Sequence, residues 1–224
     1  GTLQGPLAAL QTDLQVKAQR GSANSSLAFK GLIKNIRTPD QLGFDANFDA
    51  LLARSEILGY VPDSVVTNVL RLPEFTQVKG NAKGTTKNAN GLVTIGLGAL
   101  GQIQMNGSLR DSTYDMDLRA QNLQVSQLAV SKGLQPLKTI GFNAHVTGTG
   151  FQIGKTASMQ LTGKFDSLIW DNIILRDITL DADLNGKRFE GGLQSTDERM
   201  AVVMRASGDF STDVPVLETD ITLN

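Results

Sequence analysis

Polar and apolar residues alternate along most of this chain, and strict alternation marks half-buried antiparallel strands. The clearest early stretch is 43–53, where Phe44, Ala46, Phe48, Ala50 and Leu52 share one parity and Asp45, Asn47 and Asp49 the other. Weaker alternation precedes it at Leu14, Val16 and Ala18, and at Leu27 and Phe29. The middle of the chain reads as continuous hairpin. Asn90-Gly91 is a favoured hairpin dipeptide and is expected to turn the chain into Leu92–Leu97. Ile103, Met105, Gly107 and Leu109 then alternate up to a polar turn over Arg110–Thr113, and Tyr114, Met116, Leu118 and Ala120 return against Asp115, Asp117 and Arg119. These strands are expected to be about eight residues long.

The last third repeats the design. Phe142, Ala144 and Val146 lead to Gly148-Thr149-Gly150. Met159, Leu161, Gly163 and Phe165 keep one parity, and Leu168 and Trp170 stop at Asp171-Asn172. Ile178, Leu180, Ala182 and Leu184 run to the turn Asn185-Gly186-Lys187. A strand over Phe189–Leu193 and a turn over Ser195–Glu198 are expected next, then Met200, Val202, Met204 and Ala206, and finally Leu217, Thr219, Ile221 and Leu223.

Three stretches depart from this cadence. Pro62–Leu70 has Pro near its start, an acidic first turn and apolar residues three to four apart, which predicts a short helix. Ser126–Lys132 reads as one helical turn stopped at Gly133, and Pro6–Leu10 suits either helix or strand. The fold class expected is all-β: an antiparallel meander of repeated hairpins, curved or curled into an elongated, groove-like sheet, with one or two short helices. Residues 1–70 would hold the first strands and the helix at 62–70. Residues 71–224 would hold the rest of the meander, continuous with the first part as one elongated unit. A degenerate repeat of roughly 20–25 residues suits a sheet lengthened by adding hairpins.

Composition sharpens this picture. Of 224 residues 23 are Gly, while aromatics make up 5%, with one Trp and two Tyr. A compact sandwich leans on more rings, so a long sheet burying little per residue is expected. The absence of Cys excludes disulfides and thiolate chemistry. Net charge is −1, with 21 basic and 22 acidic residues interspersed, and nucleic-acid binding is not expected. No run approaches the roughly 20 apolar residues of a membrane-spanning helix. The chain opens on a Gly in place of Met and reads as an excised fragment.

Candidate chemistry is sparse. His145 is the one histidine and falls on the polar parity of its stretch, so it is expected to be solvated. The pairs Asp45/Asp49, Asp115/Asp117 and Asp181/Asp183 each fall on one strand face. With no base, nucleophile or apolar pocket beside them they read as solvated faces and not as acid–base pairs. Gly96-Leu-Gly-Ala-Leu-Gly101 spells G-x-G-x-x-G, but a strand follows where a dinucleotide site needs a helix. No catalytic residue, metal site or cofactor is expected. What remains is the apolar parity itself. It is either one wall of a closed core, which composition alone favours, or the lining of a trough that holds something apolar such as acyl chains.

The order of the strands adds a resemblance. Leu70-Arg-Leu-Pro-Glu-Phe-Thr-Gln-Val-Lys-Gly80, Lys79–Gly84 with its alternating sequel, and Gly107–Leu118 leading into Asn122-Leu-Gln-Val are its first components. Gly141–Gly150 and above all Leu168–Gly186 continue it. Together they resemble the AsmA-like envelope proteins, and within them the C-terminal part of TamB-type translocation and assembly proteins. The likeness covers roughly 70–224 and more faintly the rest, and carries no catalytic residue. It implies a periplasmic segment of a protein anchored in the inner membrane of a Gram-negative bacterium. It implies a β groove conducting phospholipid or another amphiphile between the membranes or assisting outer-membrane protein assembly, and an outer-membrane barrel partner engaged through regions outside this chain. The groove lining would be Phe44, Phe48, Leu52, Ile103, Met105, Leu109, Tyr114, Met116, Leu118, Ile178, Leu180, Met200, Val202 and Met204. The alternative is a non-enzymatic structural or protein-interaction β module with a closed core.

Overall fold

A computed structural model of the chain describes residues 1–20, 23–58, 71–130, 134–150, 157–197, 200–209 and 216–223. The strands are β1 (Thr2–Gln4), β2 (Ala9–Arg20), β3 (Ala23–Lys34), β4 (Gly43–Ala53), β5 (Phe75–Thr85), β6 (Asn88–Gly96), β7 (Gln102–Arg110), β8 (Thr113–Gln124), β9 (Leu137–Thr149), β10 (Ser158–Trp170), β11 (Ile173–Leu175), β12 (Ile178–Asn185), β13 (Arg188–Asp197), β14 (Met200–Asp209) and β15 (Val216–Leu223). Two helical turns, α1 (Arg54–Ile57) and α2 (Val125–Leu128), and two 3-10 turns, Pro39–Gln41 and Gly98–Leu100, interrupt them.

All strands belong to one antiparallel sheet in chain order, β1 to β10 and then β12 to β15, with β11 a short flap on the end of β10. The sheet is an up-and-down meander and does not close on itself. Short connections between alternating segments dictate this, because a tight turn can only return the chain antiparallel to the strand it has just left. The central strands are longer than the eight residues expected: β6 and β7 have 9, β8 has 12 and β9 and β10 have 13.

Several local expectations give way. Asn90-Gly91 is not a turn but lies inside β6. The turn comes earlier, at Thr86-Lys87, where the Thr85 hydroxyl accepts the backbone N–H groups of Lys87 and Asn88 at 3.3 and 3.0 Å. Gly91 serves close strand packing instead: a Cβ there would stand 2.5 Å from the Asn81 carbonyl oxygen. Ser195 to Asp197 continue β13 in place of the expected turn, because Ile178↔Ser195 and Thr196↔Ala201 extend the ladders on both sides. The helical turn expected at Ser126–Lys132 is α2, and it stops at Leu128, where Ala129 is already extended (ψ 138°). Residues 131–133 and the helix expected at Pro62–Leu70 lie outside the described residues. The opening Pro6–Leu10 is a turn running into β2.

Two bulges explain a change of parity that is visible in the sequence. The β8–β9 register slips between Ala120 and Leu123, where Asn122 takes φ 51°, and the β9–β10 register slips between Phe165 and Ser167. Each inserts an odd number of residues, so Leu123 returns to the side of Ala120, and Leu168 to that of Phe165. Without the slips, the far ends of both strands would present polar residues to the apolar side.

Candidate functional site

Register turns the alternating pattern into a continuous surface. One rank of directly opposed positions runs Leu14, Phe29, Phe48, Gly80, Val93, Met105, Leu118, Ala144, Gly163, Leu180, Leu193, Met204 and Ile221, from β2 to β15. All thirteen are apolar or Gly. With strands about 4.8 Å apart, the rank is about 60 Å long measured along the sheet. The rank that includes Phe44, Leu109, Tyr114 and Leu184 is likewise apolar or Gly throughout. Between these two lies a rank dominated by small residues, among them Gly31, Ala46, Ala82, Gly91 and Gly107.

All fourteen residues expected on the lining parity fall on this one face by register. Phe48, Met105, Leu118, Leu180 and Met204 share the central rank; Phe44, Leu109 and Tyr114 share the next; Met116 lies in the rank of small residues. Ile103, Ile178 and Val202 lie in the rank on the other side, with Leu52 and Met200 one step beyond it. Phe29, Val93 and Leu193 stand in the same central rank without belonging to the expected lining. Their signal was the same parity in strands whose alternation is less regular.

Glycine and large side chains are opposed across the ladder. A Cβ on Gly80 would meet the Phe48 ring at 2.8 Å, on Gly107 the Met116 Cγ at 2.6 Å, and on Gly148 the Tyr114 ring at 2.6 Å. Each large side chain therefore lies down over a glycine of the next strand. This covers backbone with apolar surface and keeps the face low and smooth.

The two ends of the strands differ. At one end the face is closed over by packed clusters. Ala120, Leu123 and Leu128 of α2 pack with Leu97, Leu100 and Phe142, and Leu168, Leu175 of β11 and Ile178 pack with Phe165 and Leu193. The Phe142 and Phe165 rings meet at 5.8 Å in a tilted pair. This capped end also carries α1 and the Gly98–Leu100 turn. At the other end, the turn end, the strands finish in hairpin connections such as Asp111-Ser112 and Gly186-Lys187.

Elsewhere most of the larger side chains of the face are half-buried, although Tyr114, Val146 and Leu184 are buried, and no second layer of strands covers it among the described residues. The whole chain exposes 14364 Å². A compact monomer of 24.0 kDa exposes about 9,900 Å². Large apolar side chains stay open on the first strands, with Val16 52% and Leu27 40% exposed.

The opposite face is polar and solvated. Lys30–Asp13, Lys79–Asp49 and Lys83–Asp45 are cross-strand ion pairs at 3.5, 3.3 and 3.1 Å between exposed side chains, each contributing less than about 1 kcal/mol. The carboxylate pairs Asp45/Asp49, Asp115/Asp117 and Asp181/Asp183 all stand here. His145 is exposed as expected, yet it has partners. Register sets it opposite Asp117, whose Oδ1 is 2.9 Å from Nδ1, while Nε2 is 3.7 Å from Asp115 Oδ1. The hydrogen bond to Asp117, helped by both carboxylate charges, raises the His145 pKa above the ordinary histidine value. No group of three or more carboxylate or imidazole side chains able to hold a metal occurs among the described residues. Comparison with family models, curated proteins and solved structures gives no match.

Proposed function

We propose that this chain is a non-enzymatic β segment of an AsmA/TamB-like envelope protein, whose apolar sheet face holds the acyl chains of phospholipid. In this reading it acts in the periplasm, in a protein anchored to the inner membrane, and conducts lipid toward the outer membrane or assists protein assembly there. The observation that carries the reading is the apolar face itself, unbroken across thirteen strands and unsealed by a second layer among the described residues. Apolar area left in water costs about 25 cal/mol per Å², so a face of this extent calls for an apolar occupant. Acyl chains need an apolar wall and no positioned polar group, which is what the ranks offer.

The test is photocrosslinking in Gram-negative cells with a photoreactive residue at Phe48, Met105 or Leu180, against Lys79 or Asp181 on the polar face. Lipid adducts at the first set and none at the second are expected. Absence of adducts at every lining position overturns the reading. The closed-core alternative draws support from the two packed clusters at the capped end; adducts restricted to residues outside the ranks would favour it.

A further inference from the structure

The two rims of the apolar face carry different charge. At the turn end, Lys34 closes β3 and Arg37 lies in the β3–β4 connection, Lys87 sits in the β5–β6 turn, Arg110 closes β7, Lys187 lies in the β12–β13 turn and Arg188 opens β13. Against these six cations stand three carboxylates, Asp40, Asp111 and Asp209. At the capped end the described cations and carboxylates nearly balance, with Arg54, Arg71, Lys138 and Arg176 against Glu56, Glu74, Asp171, Asp177 and Asp197. The six turn-end cations are exposed, and none is held in an ion pair among the described residues, unlike the lysines of the polar face.

Spacing gives this asymmetry a consequence. Turns on one rim recur every second strand, about 10 Å apart. That matches the distance of about 8 Å over which a charge is felt at physiological ionic strength, so the cations of the β3–β4, β5–β6 and β7–β8 connections merge into one positive stretch, with Lys187 and Arg188 a second basic point about 20 Å further along the rim. Arg37, Lys87 and Lys187 lie beyond the ladder. Lys34, Arg110 and Arg188 leave its last rungs on the polar side, with flexible stems long enough to carry the charge over the edge. The apolar face is closed over at the other rim, so an amphiphile with its chain on the face would place its polar head here.

We infer that the turn-end rim binds anionic head groups, so that the apolar face selects anionic single- or double-chain lipids over zwitterionic ones. The inference rests on the acyl-chain reading above and adds head-group selectivity to it.

The purified chain is titrated with lysophosphatidylglycerol and lysophosphatidylcholine of the same acyl chain, below their micellar concentrations. At least a tenfold preference for the anionic probe is expected, weakening with added salt. K87Q/R110Q/K187Q/R188Q should lose the preference while binding the zwitterionic probe as before. R54Q/R71Q/K138Q/R176Q, which removes the same charge from the capped end, should keep it. Should the fourfold turn-end variant fail to fold, K87Q/K187Q is expected to lose about half the preference on a logarithmic scale. Equal binding of both probes by the unaltered chain, a preference that survives in the turn-end variants, or its loss in the capped-end variant overturns the basic rim. Zwitterionic binding persisting through those outcomes leaves the groove reading intact. Failure of both probes to bind overturns the groove and this inference together.

Discussion

Val16 and Ile178 occupy the same rank of the same sheet face, yet one is 52% exposed and the other 0%. Both are β-branched aliphatics in regular strand. The difference lies in what surrounds them. Ile178 has β10 and β13 on either side, and Leu168 and Leu175 close over it. Val16 sits on β2, whose outer edge is paired only at Gln11 to Asp13 by the three residues of β1. Alternation therefore decides which face a residue joins, whereas the depth of its burial depends on paired strands on both sides and, at Ile178, on a cluster above. The apolar face is a folded core at the capped end of its central strands and a bare surface near the first edge.

The sharpest way to break this comparison is truncation at both positions. Ile178→Ala should cost about 3 kcal/mol, because it empties a site with no room to collapse. Val16→Ala should stay within about 0.5 kcal/mol, because water already reaches the side chain. Urea unfolding midpoints at unchanged slope give both numbers. Similar costs at the two positions would mean that the face is uniformly covered in solution.

Glycines extend the comparison to a finer scale. A Cβ on Gly107 would stand 2.5 Å from the Asp115 carbonyl oxygen and 2.8 Å from Met116 Cα, so Gly107→Val should cost about 1–3 kcal/mol by forcing the strands or the Met116 side chain aside. A Cβ on Gly96 would meet only ordinary contacts, the nearest at 3.7 Å. Gly96→Ala should leave stability unchanged or raise it by up to about 1 kcal/mol through a less flexible unfolded chain. At Ser25 the buried hydroxyl accepts the Ala53 backbone N–H at 3.0 Å. Ser25→Ala should cost about 1–2 kcal/mol by stranding that donor, and hydrogen exchange at Ala53 should accelerate.

How far the sequence foretells all this follows from the same physics. The period of two in Phe44 to Leu52 or Tyr114 to Ala120 is a local property, so strand, face and meander were legible from it. Turn placement was less so. Asn90-Gly91 has the chemistry of a hairpin turn, but close strand packing claims Gly91, and Thr85 supplies the turn instead. Ser195 is polar and suggests a turn, while its register opposite Ile178 keeps it in the strand at 2% exposure. Which residues share the apolar face was readable because parity fixes it; its unequal cover was not, since that depends on bulges and on partners distant in the chain. The same limit hid the partner of His145: Asp117 lies 28 residues away and only register brings it opposite.

The smallest expected effect concerns that pair, and it tests the solvated face against the packed one. The His145 pKa is raised, first by the hydrogen bond to Asp117 and then by the charges of Asp115 and Asp117. A histidine whose folded pKa exceeds its unfolded value of about 6.5 stabilises the fold fully below that pH. The contribution then fades as pH rises through the folded value. The unfolding midpoint should therefore decline slightly above about pH 6.5. Asp117→Asn should remove most of that decline and shift the His145 imidazole resonances, followed by NMR against pH, to a lower titration midpoint. Thr162, opposite His145 on the other side, carries no charge to oppose the shift. An imidazole that titrates at or below the ordinary value in the unaltered chain would mean that the cross-strand pair does not persist in water. The polar face would then be held together by its backbone ladder alone, while the apolar face owes its order to packing.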